Sequence, residues 1–139
     1  MPYKLSGSAS AVLNDVLYNL GGGSSNSVEW LDLVQTRRKW NSMKTVGQAN
    51  FTKHSYGDAG VVSNSIVYFG PFEACYVLEQ KEGERGKLEI ASEFKGIAYK
   101  RGRSNSSFCT YQDLIYFFPM NEQSVFSLDI ETEQTSLYF

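Results

Sequence analysis

The chain contains three similar segments, and this internal repetition restricts its fold more than any other feature of the sequence. When Tyr18 is aligned with Tyr68 and Tyr116, the spacings are 50 residues (68 minus 18) and 48 residues (116 minus 68). The flanking sequences AVLNDVLYNLGG, VVSNSIVYFGPF and CTYQDLIYFFPM then align without a gap. A repeat of this length is typical of folds that stack one structural unit on the next. We therefore predict three copies of one unit.

Each copy has the pattern of four short β-strands. A small or apolar strand leads into a polar two-residue corner of the kind that closes a hairpin. The predicted corners are Asn14-Asp15, Asn64-Ser65 and Gln112-Asp113. The second strands VLYNL, IVYF and LIYFF are nearly all apolar, which favours a sheet covered on both faces.

The third and fourth strands complete each unit. The third strands read VEWLDLV, ACYVLEQ and SVFSLDI, and the fourth strands read RKWNSM, GKLEIA and TSLYF. Four antiparallel strands in this order form one blade-like sheet. We predict an all-β chain with blades at about residues 9–43, 59–91 and 107–139.

Composition agrees with a β fold and excludes several kinds of partner. Nine Tyr, nine Phe and two Trp favour strands, because these side chains pack well on a pleated surface. The net charge of -2 gives no long-range attraction to nucleic acid or an anionic membrane. The chain shows no membrane-spanning run and no export signal at its start, so we expect a cytoplasmic location. Cys75 and Cys109 are then expected to be reduced, buried, small apolar residues.

The first copy resembles a kelch repeat. The resemblance rests on an apolar strand, a glycine doublet, a strand ending near an aspartate, and a tryptophan that follows. These residues are Ala11, Val12, Leu17, Tyr18, Gly21, Gly22, Val28, Leu31, Asp32 and Trp40. A second kelch-like stretch begins at Gly102, where Arg103 takes the place of the basic residue that often precedes the first strand. Leu88 and Leu137 replace the tryptophan in the later copies, whose support comes mainly from spacing.

This resemblance implies a kelch-like β-propeller and gives several residues structural roles. Glycine reaches positive φ, so Gly21 and Gly22 are expected to let the backbone leave the second strand sharply. Large aromatic side chains fill the space that opens as wedge-shaped sheets diverge. Those assigned structural roles are Tyr18, Trp40, Tyr68 and Tyr116. A plain flexible loop and a phosphate-binding loop are the alternatives for GGGSSNS, although the lysine and helix of a P-loop do not follow it.

Three blades do not complete a propeller, which holds four to eight. The two terminal blades would each leave a face uncovered, and soluble monomers rarely expose large apolar faces. Two chains could form a six-bladed ring, or the chain could belong to a larger assembly. A different β architecture, without true second and third blades, is the remaining alternative. In a homodimeric ring we expect Trp30, Phe126 and Phe139 near the closing joints.

Catalytic chemistry has little support in the sequence. His54 is the only histidine, which disfavours a Ser-His-Asp triad or a histidine-rich metal site. Glu82 and Glu84 lie in the charged segment QKEGERGK, which is expected to be a solvated hairpin tip. We therefore predict no enzymatic activity, no metal and no cofactor.

Partner binding is better supported than catalysis. The loops between second and third strands and the connections between blades should emerge at one end of the propeller, where recognition residues tend to lie. One connection carries basic residues beside a tyrosine, a mixture suited to an acidic peptide segment of a partner protein. The predicted partner-binding residues are Tyr99, Lys100, Arg101, Arg103, Phe72 and Asn26. A solvated loop is the alternative, and Arg103 could instead anchor a strand.

These observations predict an intracellular protein-interaction module of kelch type. The alternatives are a structural subunit of a larger complex and a propeller enzyme that processes a carbohydrate or another small molecule.

Overall fold

The computed structural model describes residues 8–21, 26–43, 46–47, 49, 51, 58–69, 75–94, 107–118, 125–132 and 134–137. Every regular element within these ranges is a β-strand. In chain order the strands are β1 (Ala9–Leu13), β2 (Val16–Leu20), β3 (Val28–Asp32), β4 (Trp40–Met43), β5 (Asp58–Val62), β6 (Ser65–Phe69), β7 (Cys75–Gln80), β8 (Leu88–Phe94), β9 (Ser107–Tyr111), β10 (Leu114–Phe118), β11 (Phe126–Asp129) and β12 (Gln134–Leu137).

The strands form three separate four-stranded sheets. Blade 1 contains β1 to β4, blade 2 contains β5 to β8 and blade 3 contains β9 to β12, each in sequential order. All neighbouring strands within a blade are antiparallel. The predicted all-β fold of three four-stranded antiparallel blades is thereby confirmed.

The first hairpin of each blade turns through two residues. Positive φ values of 50° and 60° occur at Asn14 and Asp15, and values of 49° and 37° occur at Ser63 and Asn64. In blade 3, Gln112 has a φ of 53°. Turns with two positive φ values match the right-handed twist of paired strands. The turns begin at residues 14, 63 and 112, so the unit repeats every 49 residues (63 minus 14, and 112 minus 63).

The predicted corner Asn64-Ser65 is therefore wrong by one residue. Ser63 is the first turn residue, and Ser65 already pairs with Val62 as part of β6. A shift of one residue moves every side chain of a strand to the opposite face. By position in the hairpin, Tyr18 corresponds to Val67 and Tyr116 rather than to Tyr68.

Two hydrophobic cores join the blades. The first joint, between blades 1 and 2, contains the buried residues Ala9, Ala11, Leu13, Val16, Tyr18, Leu20, Val28, Val46, Ala49, Phe51, Ile66, Tyr68, Tyr76, Leu78 and Leu88. The second joint, between blades 2 and 3, contains Val62, Val67, Phe69, Cys75, Val77, Ile115 and Leu128. Alternate residues of β6 enter the two joints, which explains why all five residues of this strand are buried.

The blades lie side by side around a common edge. Strand β1 contacts β5, and β5 contacts β9. Each of these strands is the edge strand with which its sheet begins. Sheets that pack face to face with their first strands together form an open propeller-like segment.

Several sequence expectations about burial require correction. Trp30 packs against the first joint and Phe126 against the second, so neither lies on the free face of a terminal blade. Phe139 lies outside the described residues. Cys75 is buried as expected, whereas Cys109 is exposed. The reason is positional, since Cys109 lies on the side of blade 3 that faces away from blade 2.

Candidate interaction surfaces

The blades present two ends with different connections. Because strand direction alternates, the first hairpin turn of every blade lies at the same end as the β3–β4, β7–β8 and β11–β12 turns. We call this end the turn end. The connections between second and third strands and between blades share the opposite end, the loop end. The structure describes most of the turn end and only parts of the loop end.

Most of the predicted partner-binding set lies outside the described residues. This applies to Phe72, Tyr99, Lys100, Arg101 and Arg103, and also to the structural candidate Gly22. Their roles stay predictions. Strands β8 and β9, which flank the basic stretch, end and begin respectively at the loop end.

Asn26 is described, and its side chain ties two loop-end segments together. Its Nδ2 donates to the carbonyl oxygen of Ala49 at 3.1 Å, and its Oδ1 accepts a hydrogen bond from the backbone N–H of Phe51. These bonds connect the segment before β3 to the connection between blades 1 and 2. Asn26 thus anchors the loop end, while its contact with a partner stays a prediction.

Gly21 closes the same corner by allowing two backbones to approach. Its φ is +64°, and a Cβ placed on it would lie 2.5 Å from Cβ and 3.0 Å from the carbonyl oxygen of Phe51. Phe51 is fully buried, with its ring edge-on to Tyr68 at 4.8 Å and to Tyr76 at 6.0 Å between centroids. The glycine therefore lets the inter-blade connection insert a phenylalanine into the first joint.

At the turn end, an ion pair crosses the first joint. Arg85, in the β7–β8 turn, donates from Nε to Asp32 Oδ2 at 2.7 Å and from Nη2 to Oδ1 at 3.1 Å. The hydrogen bonds from Arg85 lower the pKa of the Asp32 carboxyl, and Asp32 raises the pKa of Arg85. Such a two-pronged contact fixes direction as well as charge. It holds the β7–β8 turn of blade 2 against the end of β3 in blade 1.

Asp32 has a positional counterpart in blade 3. Asp32 pairs with Val16 and Asp129 pairs with Leu114, and both partners are the first residues after their hairpin turns. Asp32 Oδ1 accepts from the backbone N–H two residues later at 2.9 Å, and Asp129 Oδ1 makes the same bond at 2.9 Å. Each aspartate therefore caps the turn that follows its strand.

Polar contacts link the first hairpin turns to the next blade. Asn14 Nδ2 donates to Gln80 Oε1 at 3.0 Å across the first joint. Ser63 Oγ donates to Asp113 Oδ1 at 2.7 Å across the second joint. The turn end is thus fastened at both joints by exposed polar side chains.

Two lysines flank Glu84 in the charged β7–β8 turn. Glu84 lies 3.3 Å from Lys81 and 3.4 Å from Lys87, and hydrogen bonds from these lysines lower the pKa of its carboxyl. Glu82 is exposed in the same turn. Glu82 and Glu84 therefore lie in the hairpin turn that the sequence predicts for them.

Two open clefts lie at the turn end, where the sequence suggested no site. One of about 400 Å³ is lined by Ser63, Ser65, Glu79, Gln80, Ser92 and Glu131, among others. The other, of about 350 Å³, lies between Asn14 and the β7–β8 turn. Their linings are largely polar. The β-turn positions could have indicated them, because the hairpin corners and charged turns fall at one end.

No metal centre is evident in the part of the chain that the structure describes, where no three His, Cys, Asp or Glu residues group to hold an ion. His54 lies outside that part. Nor do the described ranges contain a helix long and apolar enough to cross a membrane.

Comparison with known proteins supports the fold. No family model matches the chain, and no curated protein matches it. Among solved structures, that of YjhT is similar, with a TM-score of 0.71 and 11 % sequence identity. The match covers 98 % of this chain and 52 % of the YjhT chain, so the chain spans about half the length of YjhT. At this identity the likeness concerns the fold alone.

The Asp32–Arg85 pair should make stability depend on pH. A carboxyl whose pKa falls on folding from the ordinary value of 3.8 stabilises the fold fully above that value. Its contribution is lost as pH falls through the lowered pKa. Asp32→Asn should therefore reduce the melting temperature near neutral pH and flatten its decrease on acidification to about pH 3. Thermal unfolding of Glu89→Gln, at an exposed carboxyl of β8, is the control. Identical acid profiles for wild type and Asp32→Asn would contradict the prediction.

Proposed function

We propose that the chain is an intracellular protein-interaction module, a kelch-like propeller segment that binds a partner protein through its loop end. The observation that carries this proposal is the anchoring of the loop end by Asn26. Its two hydrogen bonds fix the segment before β3 beside the connection that inserts Phe51 into the first joint. Loops held in place on a rigid scaffold lose little entropy on binding, which favours recognition.

The chemistry of the partner follows from the stretch between β8 and β9. This stretch contains Tyr99, Lys100, Arg101 and Arg103. Arginine pairs with carboxylates through two parallel hydrogen bonds, and tyrosine adds apolar contact area. An acidic segment of a partner protein is the ligand that fits this composition.

An intracellular location is supported by the cysteines. Cys75 and Cys109 are free thiols, and Cys109 is exposed. Exposed free thiols suit a reducing compartment better than an oxidising one. We therefore propose a cytoplasmic location.

A second candidate function, a structural subunit of a larger assembly, is favoured by the free faces of the terminal blades. Val12 on blade 1 and Tyr111 on blade 3 are large apolar side chains that remain exposed there. Where such side chains form a contiguous apolar patch, the patch is typical of a surface that another protein covers.

Charge reversal tests the loop-end site. Arg101→Glu with Arg103→Glu should weaken capture of the partner at least about tenfold and leave the circular dichroism spectrum unchanged. Arg38→Glu with Lys39→Glu, an equal charge change at exposed turn-end residues, is the matched control. Binding that resists both the loop-end reversal and high salt would exclude the basic stretch as the site. Loss of binding in the control alone would place the site at the turn end.

A further inference from the structure

We propose that a second copy of this chain closes the ring, with the free face of blade 3 in one copy packed on the free face of blade 1 in the other. The free face of blade 1 is the side opposite the first joint, and that of blade 3 is the side opposite the second joint. This inference is independent of the loop-end site, because it concerns the sides of the blades rather than their ends.

Exposure on blade 3 occurs where the other blades are buried. Tyr116 is half-buried, whereas its counterpart Tyr18 is fully buried in the first joint. Tyr111, which precedes the hairpin turn, is 65 % exposed. Its counterparts Leu13 and Val62 are buried in the first and second joints. These positions are covered wherever a next blade is present.

The free face of blade 1 shows the same pattern. Leu17 corresponds to Ile66, which is buried in the first joint, yet Leu17 is only half-buried. Val12, beside it in the cross-strand register, is 48 % exposed. Leu31 and Trp40 continue this apolar row across β3 and β4. A previous blade would cover the row, as blade 1 covers Ile66.

The polar row beside the apolar one is already buried in a single copy of the chain. It consists of Ser10, Asn19, Glu29 and Ser42, paired across the four strands. Ser10 Oγ donates to Asn19 Oδ1 at 2.7 Å, and Asn19 and Glu29 are only 6 % and 1 % exposed. The contact with the second copy therefore involves the apolar row and the turn-end rim of blade 1.

Charges at the turn end also favour this pairing of the two faces. Arg85 stands three residues before β8 and reaches back to Asp32 of the preceding blade. Arg37 stands three residues before β4 and is exposed. Asp129 is the counterpart of Asp32, so Arg37 of the second copy would pair with it. Opposite charges on the two rims favour this orientation.

The hairpin turns of blades 2 and 3 show a further contact that the closing joint could repeat. In the second joint, the first turn residue of blade 2, Ser63, donates to the second turn residue of blade 3, Asp113. The corresponding residues in the closing joint are Gln112 and Asp15 of the second copy, and both are exposed. Two-fold symmetry would then form two equivalent joints and leave no free face.

Sedimentation and light scattering test the proposal at micromolar concentration. We expect a mass near twice 15.6 kDa for the wild-type chain. Arg37→Asp and Asp129→Arg should each weaken dimerisation at least about tenfold, since each places like charges together in both joints. An equimolar mixture of the two variants should restore the dimer, because both joints of the mixed particle then pair opposite charges. Lys87→Asp, the same charge change on blade 2, is the control.

Several results would overturn the closed ring. A wild-type monomer at these concentrations would mean that a second copy does not cover the apolar rows of blades 1 and 3. A dimer that neither variant weakens, or a mixture that fails to recover, would also reject this joint. Circular dichroism verifies folding of each variant, and Tyr111→Arg provides a second disruption on an exposed side chain. A dimer unchanged by Tyr111→Arg would count against the proposed contact.

Discussion

Gly21→Val is expected to lower the free energy of unfolding by more than about 3 kcal/mol. The backbone at Gly21 has a φ of +64°, a region that a β-branched residue strongly disfavours. A Cβ at this position would also lie 2.5 Å from the Cβ of Phe51, with the Phe51 carbonyl oxygen 3.0 Å away. Relief of that contact requires movement of backbone, which would withdraw Phe51 from the first joint. Urea denaturation of the purified variant measures the loss.

Gly83→Val separates the two causes. Gly83 has a φ of +70°, close to that of Gly21, but no atom lies within 4 Å of a Cβ placed on it. Its substitution therefore reports conformational strain alone, about 1–2 kcal/mol. A loss of unfolding free energy at Gly21 no larger than that at Gly83 would show that the close approach of Phe51 is not what requires glycine at this position. Full stability of Gly21→Val would mean that the corner is a plain loop.

The strands and their grouping could be predicted because the evidence for them is local. Apolar runs such as LIYFF and polar corners such as Gln112-Asp113 lie within a few residues of each other. The position of the first turn in blade 2 is ambiguous in the sequence, because Ser63, Asn64 and Ser65 are all residues that favour turns. Its register is set by tertiary packing, which requires Val67 to enter the second joint and Tyr68 the first. An alignment that equates Tyr68 with Tyr18 shifts β6 by one residue and so does not meet this requirement.

The contacts between blades could not be predicted from the sequence of a single repeat. Asp32 and Arg85 are 53 residues apart, and their pairing depends on how far the β7–β8 turn reaches back over blade 1. The expectation that Trp30 and Phe126 lie at the closing joint fails for a related reason, since the face of a strand residue follows from the register and not from its size. The regular interval of 49 residues between hairpin turns is the feature that assigns each face correctly.

Phe51→Ala should lower the free energy of unfolding by about 3–5 kcal/mol, the range for removal of a buried phenylalanine ring. Phe51 belongs to no strand, yet it is fully buried between the two blades. Its ring meets Tyr68 and Tyr76 of blade 2 edge-on, and its backbone N–H is held by Asn26 beside blade 1. Loss of the ring opens a cavity that the sheets cannot close without moving relative to each other. A loss below about 1 kcal/mol, measured by urea denaturation, would contradict this role.

A double-mutant cycle then tests the register of blade 2. Phe51→Leu and Tyr68→Leu should be non-additive by about 0.5–1.5 kcal/mol, because the two rings touch at a centroid distance of 4.8 Å. Phe51→Leu and Val67→Ala should be additive, since Val67 lies in the second joint on the opposite face of β6. The alignment that equates Tyr68 with Tyr18 predicts the reverse, as it turns Tyr68 toward blade 3 and Val67 toward blade 1. Coupling of Phe51 to Val67 without coupling to Tyr68 would therefore restore that alignment and remove the 49-residue period on which the assignment of the free faces depends.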